Sequence, residues 1–149
     1  MAKRYRLSAL RRLLNRLVTA AVRRGRGPAA TWLLTVAGRR SGRPYTTPVN
    51  LVEAEGERWL VAPYGPVGWV RNLRATGRAT LTRGRDAETV GAVEVGPQEA
   101  APILRRYLAD VAIARPYFDV TVDSPLEDVA AEAERHPVFR LVPPAGDGG

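Results

Sequence analysis

Arginines and glycines meet in one short stretch, Gly38-Arg39-Arg40-Ser41-Gly42-Arg43-Pro44, set between two apolar, β-leaning runs. Guanidinium forks bind phosphate or carboxylate oxygens two at a time. Glycines let the backbone take positive φ and bring its amides close to an anion. The stretch therefore reads as an anion site or as a basic hairpin turn, and its own residues do not choose between them. A second patch, Ala62-Pro63-Tyr64-Gly65-Pro66-Val67-Gly68-Trp69-Val70-Arg71-Asn72-Leu73, opens a short helix whose free amides would also suit an anion. Asn72 falls one turn after Trp69, so both can face one side. A third patch, Ala114-Arg115-Pro116-Tyr117-Phe118-Asp119, carries two aromatic rings past a helix. A ring there can cover a pocket, although core packing is the plainer reading.

Other chemistries fail for want of residues. The chain has no cysteine and a single histidine, His136, so thiolate sites and histidine metal clusters are excluded. His136 lies in Arg135-His136-Pro137 at a helix end and reads as structural or solvated. Neither G-x-x-x-x-G-K-[ST] nor a G-x-G-x-x-G opening a helix after a strand is present. The acids of residues 53–57 and 127–134 read as solvated faces, which leaves hydrolase chemistry without support.

The elements that must position these patches follow from periodicity and turn residues. Apolar runs over residues 31–37, 45–54, 58–62, 78–83, 88–95 and 138–142 read as strands. Two hairpins turn at Glu55-Gly56-Glu57 and at Gly84-Arg85-Asp86. Helices are expected over residues 69–76, 97–114 and 125–135. Mostly antiparallel pairing with few helices gives an α+β fold, its sheet curled into a small barrel. The expected organisation is an arm over residues 1–27, one barrel domain over 28–142 and a frayed tail over 143–149.

Charge is unevenly placed. Residues 1–26 hold nine basic residues and no acid, while the other 14 basic residues face 15 acids. A nearly neutral body thus carries a basic arm. Within that arm residues 5–24 read as a helix with Leu7, Leu10, Leu13, Leu14, Leu17, Val18 and Ala21 on one stripe. The stripe can dock on the body, the arginines then facing solvent, or lie on an anionic membrane surface. Docking on the body is the first expectation. No apolar run approaches the roughly 20 residues that span a bilayer. A cytoplasmic location is expected, with a peripheral place at the inner membrane face open to residues 5–24. A neutral body with 7% aromatic residues argues against nucleic acid as a partner.

The three patches, in this order, resemble the deazaflavin-dependent nitroreductase family, relatives of the FMN-binding split β-barrel oxidoreductases. The resemblance runs from about Leu33 to Phe118 and is carried by Gly38-Arg39-Arg40-Ser41-Gly42-Arg43-Pro44, Thr47-Pro48-Val49, the Trp69-x-x-Asn72-Leu73 helix and Pro116-Tyr117-x-Asp119. It implies a split β-barrel and a groove for coenzyme F-420, a deazaflavin with a phosphate and an oligoglutamate tail, rather than for FMN. Arg39, Arg40 and Ser41 would hold the anionic portion. Thr47, Pro48 and Val49 would run along the ring, and Ala62, Tyr64 and Gly65 would bring backbone near the phosphate side. Trp69 and Asn72 would close the pocket, and Tyr117 would stand over the ring as the catalytic residue. The implied activity is hydride transfer to a small, hydrophobic, electron-poor acceptor such as a quinone, enone or nitro compound. Tyr45 stands where nitroimidazole-reducing members carry a basic residue, and Tyr64 near a family lysine. Ala114 and Val120 replace further tyrosines, which points to another, apolar substrate. The alternative is a membrane-associated fatty-acid or lipid-binding split-barrel protein without redox activity. The oligomeric state is left open, a homodimer included.

Overall fold

Alternating side chains give each strand two faces, and in this chain both faces are used. The strands are β1 (Thr31–Ala37), β2 (Pro44–Ala54), β3 (Glu57–Val61), β4 (Arg78–Arg83), β5 (Asp86–Glu94) and β6 (Val138–Val142). They pair antiparallel throughout in the order β1-β2-β3-β6-β5-β4, and β4 returns to β1 to close a barrel. Closure leaves no sheet edge exposed. The computed structural model describes residues 9–25 and 30–144. The start of the expected arm helix, the Gly27-Pro28 link and most of the expected tail lie outside the described residues.

The inner face is packed by Leu34, Val36, Leu60, Leu81, Val90, Phe139 and Leu141, with Val49 and Leu51 against them. Helix α2 (Gly68–Thr76) crosses from β3 to β4 and adds Val70 and Leu73 to this same core. The outer face of β2, β3 and β6 carries Val52, Trp59, Val61 and Val138. It is covered by Ile103, Leu104, Tyr107 and Leu108 of helix α3 (Pro97–Asp110) and by Val129 of helix α4 (Leu126–Ala131). Tyr117 and Phe118 belong to this second core, at the end of a 3-10 turn over Ala112–Tyr117.

Three expectations are corrected. The third helix ends at Asp110 rather than Ala114, because the chain tightens into the 3-10 turn that contains Pro116. The fourth is a single short helix that gives way to a 3-10 turn over Glu132–Glu134. The largest correction concerns the first helix, α1 (Ala9–Arg23). It packs on β1, β2 and β4 through half-buried Asn15 and Thr19 and fully buried Val22, not through its leucines. These three follow one face at positions i, i+4 and i+7. The stripe of Leu10, Leu13, Leu14, Leu17 and Val18 lies on the opposite side and is exposed. The Gly84 amide donates to the Val22 carbonyl at 2.9 Å and fixes the C-terminal end.

Candidate cofactor site

The arginine-glycine loop is built by its own backbone. The Gly38 amide donates to the Arg43 carbonyl at 2.7 Å, and the Gly42 amide returns to the Gly38 carbonyl at 2.9 Å. Gly42 sits at φ +74°, in the left-handed region that a side chain makes costly. The Ser41 hydroxyl accepts from the Arg43 amide at 3.2 Å, so it shapes the turn. Outside the loop, buried Asn72 of α2 holds it. Asn72 Oδ1 accepts from the Arg39 backbone amide at 3.1 Å and from Arg39 Nη1 at 2.8 Å. Asn72 is thus the tether between loop and helix.

Arg39 and Arg40 are exposed, and no carboxylate pairs with Arg39, Arg40 or Arg43 among the described residues. Three unneutralised guanidinium groups on a pinned turn fit an anionic group, and the donor set is of the right chemistry for phosphate.

The remaining expected site residues fall into three sets. Val49, Ala62 and Trp69 pack with the inner barrel core, where Trp69 is half-buried with its ring 6.2 Å from Phe139. Asn72 lies on the same helix as Trp69, as the spacing requires. Tyr64 and Tyr117 instead meet edge to face at 4.8 Å against the outer core, and Tyr117 is buried. Gly65, at φ +90°, brings its backbone close to the Arg135 carbonyl, where a Cβ would stand 3.4 Å away.

Thr47 and Pro48 line a cavity of about 430 Å³ with Thr46 and with Asn15, Arg16, Thr19, Ala20 and Arg23 of α1. Sequence reasoning missed those helix residues as part of any site, because it assigned the arginine face to solvent. A signal existed: Asn15, Thr19 and Arg23 recur every fourth residue, opposite the leucines.

Of two further groups, Glu132 corrects the sequence reading and His136 agrees with it. Glu132, expected on a solvated face, is fully buried. Its Oε1 accepts from the Asp119 amide at 2.6 Å, and its Oε2 accepts from Arg135 Nη2 at 2.7 Å. His136 is buried and stacks on Phe118 with ring centroids 3.8 Å apart, as a structural histidine would. Burial pushes its pKa below the ordinary histidine value, only partly offset by Glu132, so it is neutral near pH 7. Among the described residues no group of three or more His, Asp or Glu could hold a metal ion.

A family model described as F420H(2)-dependent quinone reductase matches residues 10–127, which takes in the loop, the α2 patch and Tyr117. The chain belongs to this family. Its members depend on coenzyme F-420, so the protein is an oxidoreductase of the split-barrel type. The chain is similar to a solved F420-H2 dependent reductase, FDR-A, at 20% identity, covering 76% of this chain and 94% of that one with a TM-score of 0.52. A structure described as a domain-swapped dimer aligns over 89% of this chain and 96% of its own at 20% identity, with a TM-score of 0.57. A conserved hypothetical protein from Mycobacterium tuberculosis aligns over 77% and 73% at 21% identity, with a TM-score of 0.51. At these identities the structures speak for the fold alone. None of the curated proteins matches this chain.

Proposed function

We propose that the protein reduces a small, hydrophobic, electron-poor acceptor, a quinone, enone or nitro compound, with coenzyme F-420 as hydride donor. The observation that supports this most is the loop of residues 38–43, rich in unneutralised arginine and tethered to α2 by Asn72. Reduced deazaflavin supplies a hydride, so the chain need only bind, orient and exclude water. That division of labour accounts for the poverty of acid–base residues.

In this reading Arg39, Arg40 and Ser41 hold the anionic tail. Thr47, Pro48 and Val49 form the wall along the ring, and backbone at Ala62, Tyr64 and Gly65 approaches the phosphate side. Trp69 shapes the floor, and Asn72 acts through Arg39 by fixing its backbone and guanidinium. Tyr117 donates a hydrogen bond from its phenol to the anion that develops on the acceptor. Its edge-to-face contact with Tyr64 restricts the ring. The apolar surroundings of Tyr117 favour a hydrophobic acceptor over a charged one.

The test is Arg39→Ala. Loss of a charge-assisted contact worth roughly 1.5–3 kcal/mol predicts about a 10- to 100-fold weaker affinity for coenzyme F-420, with the melting temperature retained. An unchanged affinity removes the loop from the cofactor site.

A further inference from the structure

The most deeply buried phenol among the described residues is Tyr107, and the proposed reaction leaves it without a role. It belongs to α3, in the core that covers the outer face of the barrel, and its ring lies 6.5 Å from Phe118. A phenol in such surroundings must place its hydroxyl somewhere. Asn50 of β2 meets it. Asn50 Oδ1 accepts from the hydroxyl of buried Thr31 at 2.7 Å, which leaves the amide nitrogen for the Tyr107 oxygen. The proton of Tyr107 is then left to be donated elsewhere. Burial pushes the pKa of Tyr107 above the ordinary phenol value, and the Tyr64 phenol raises it further, while Asn50 offsets part of the rise. Tyr107 therefore keeps its proton near pH 7, with Tyr64 within its electrostatic reach.

This group borders the candidate site on two sides. Side chains alternate along β2, so Asn50 shares a face with Pro48, which lines the cavity under α1. Two residues of strand separate them, roughly 6–7 Å. On the other side Tyr64 meets Tyr117 edge to face at 4.8 Å. The series Thr31, Asn50, Tyr107, Tyr64, Tyr117 thus runs from β1 to the phenol assigned to the acceptor. We infer that Asn50 and Tyr107 are positioning residues: Asn50 holds the Tyr107 hydroxyl, and Tyr107 holds Tyr64 against Tyr117, so that the Tyr117 phenol is aimed before the acceptor arrives. The inference rests on the reductase reading, because it takes Tyr117 as the proton donor. Hydride addition leaves an oxyanion on the acceptor. The O–H bond of Tyr117 then breaks as an O–H bond forms on the acceptor oxygen, and water returns a proton to the phenolate. Both electrons arrive with the hydride, so the acceptor is reduced and the coenzyme oxidised. Tyr107 transfers nothing in this scheme. Its effect is to spare the donor reorganisation at the moment of reaction.

The experiment compares the full wild-type chain with Tyr107→Phe, Tyr117→Phe and the double variant, using reduced coenzyme F-420 and menadione as the probe acceptor. Tyr107→Phe removes only a hydroxyl from a buried ring, so coenzyme affinity should be retained. Loss of one neutral hydrogen bond predicts a kcat about fivefold lower, with KM for menadione within about twofold of wild type. Tyr117→Phe should lose about 100-fold, as expected of a proton donor. Adding Tyr107→Phe to Tyr117→Phe should cost nothing more, since no donor is left to aim. A second readout needs no coenzyme. In NMR spectra of the coenzyme-free chain with ring-labelled tyrosine, Tyr117 ring flips should be about fivefold faster in Tyr107→Phe. Asn50→Leu should reproduce that change. Losses that multiply in the double variant mark a merely structural role and overturn the inference alone, as do a kcat and ring flips that Tyr107→Phe leaves unchanged. A wild-type chain that binds no coenzyme F-420 overturns the reductase reading, and the inference with it.

Discussion

Replacing Asn72 with alanine removes the acceptor for two donors of Arg39 without touching any group offered to the ligand. The backbone amide bond at 3.1 Å is worth roughly 1 kcal/mol, and the charge-assisted bond from Nη1 at 2.8 Å roughly 1.5–3 kcal/mol. Arg39 is exposed, so water replaces part of what is lost, and about 1–2 kcal/mol remains as the cost of ordering the loop. If that order is needed before an anion binds, affinity for coenzyme F-420 falls about 5- to 30-fold. Two readouts check the chain of cause. Fluorescence titration gives the affinity, and hydrogen exchange at the Arg39 amide should quicken in Asn72→Ala because its acceptor is gone. The reasoning has a sharp point of failure. Asn72 also occupies one arm of the Arg39 guanidinium, so a role through charge alone predicts unchanged or tighter binding once that arm is freed. Affinity that stays level or rises while the loop amide exchanges faster would refute preorganisation as the role of Asn72.

Other outcomes follow from the same geometry. Gly42→Ala, forced to φ +74°, should lose roughly 1–2 kcal/mol, seen as a lower melting temperature and weaker coenzyme binding together. Glu132→Ala strips the Asp119 amide and Arg135 of a buried acceptor and should destabilise the fold by about 2–3 kcal/mol in denaturant titration, with coenzyme affinity in the residual folded protein retained. His136 supplies a pH dependence. Its pKa is depressed by burial, so below the unfolded value of about 6.5 the unfolded chain binds the extra proton first. Stability should therefore be complete above that pH and fall as the solution is acidified through it. His136→Phe should flatten that part of the pH–stability profile, and an unaltered profile would assign the acid sensitivity elsewhere.

Much of the barrel was legible because strands with two buried faces are punctuated by glycine and proline turns that a single sequence displays. Loop 38–44 was legible as an anion site only to the extent of an even choice. Its partner Asn72 sits 33 residues away, and a tether of that kind is a tertiary fact that spacing does not encode. The leucine stripe of α1 was visible in full, but periodicity says only that a face is apolar, not what covers it. The natural assumption that leucines face the body failed because Asn15, Thr19 and Val22 offered the barrel a second usable face. Glu132 was misread for a related reason. It looks like its neighbours Glu127 and Glu134 in sequence, and only the approach of the Asp119 amide and Arg135 makes its burial tolerable.

The central claim is that residues 38–49 and their tether form a site for an anionic deazaflavin. The most direct measurement is a parallel fluorescence titration of the purified full chain with coenzyme F-420 and with FMN. Saturable binding of coenzyme F-420 that is at least about tenfold tighter than FMN, and that weakens in Arg39→Ala, is the predicted result. Equal affinity for the two, or coenzyme binding indifferent to Arg39, would contradict it.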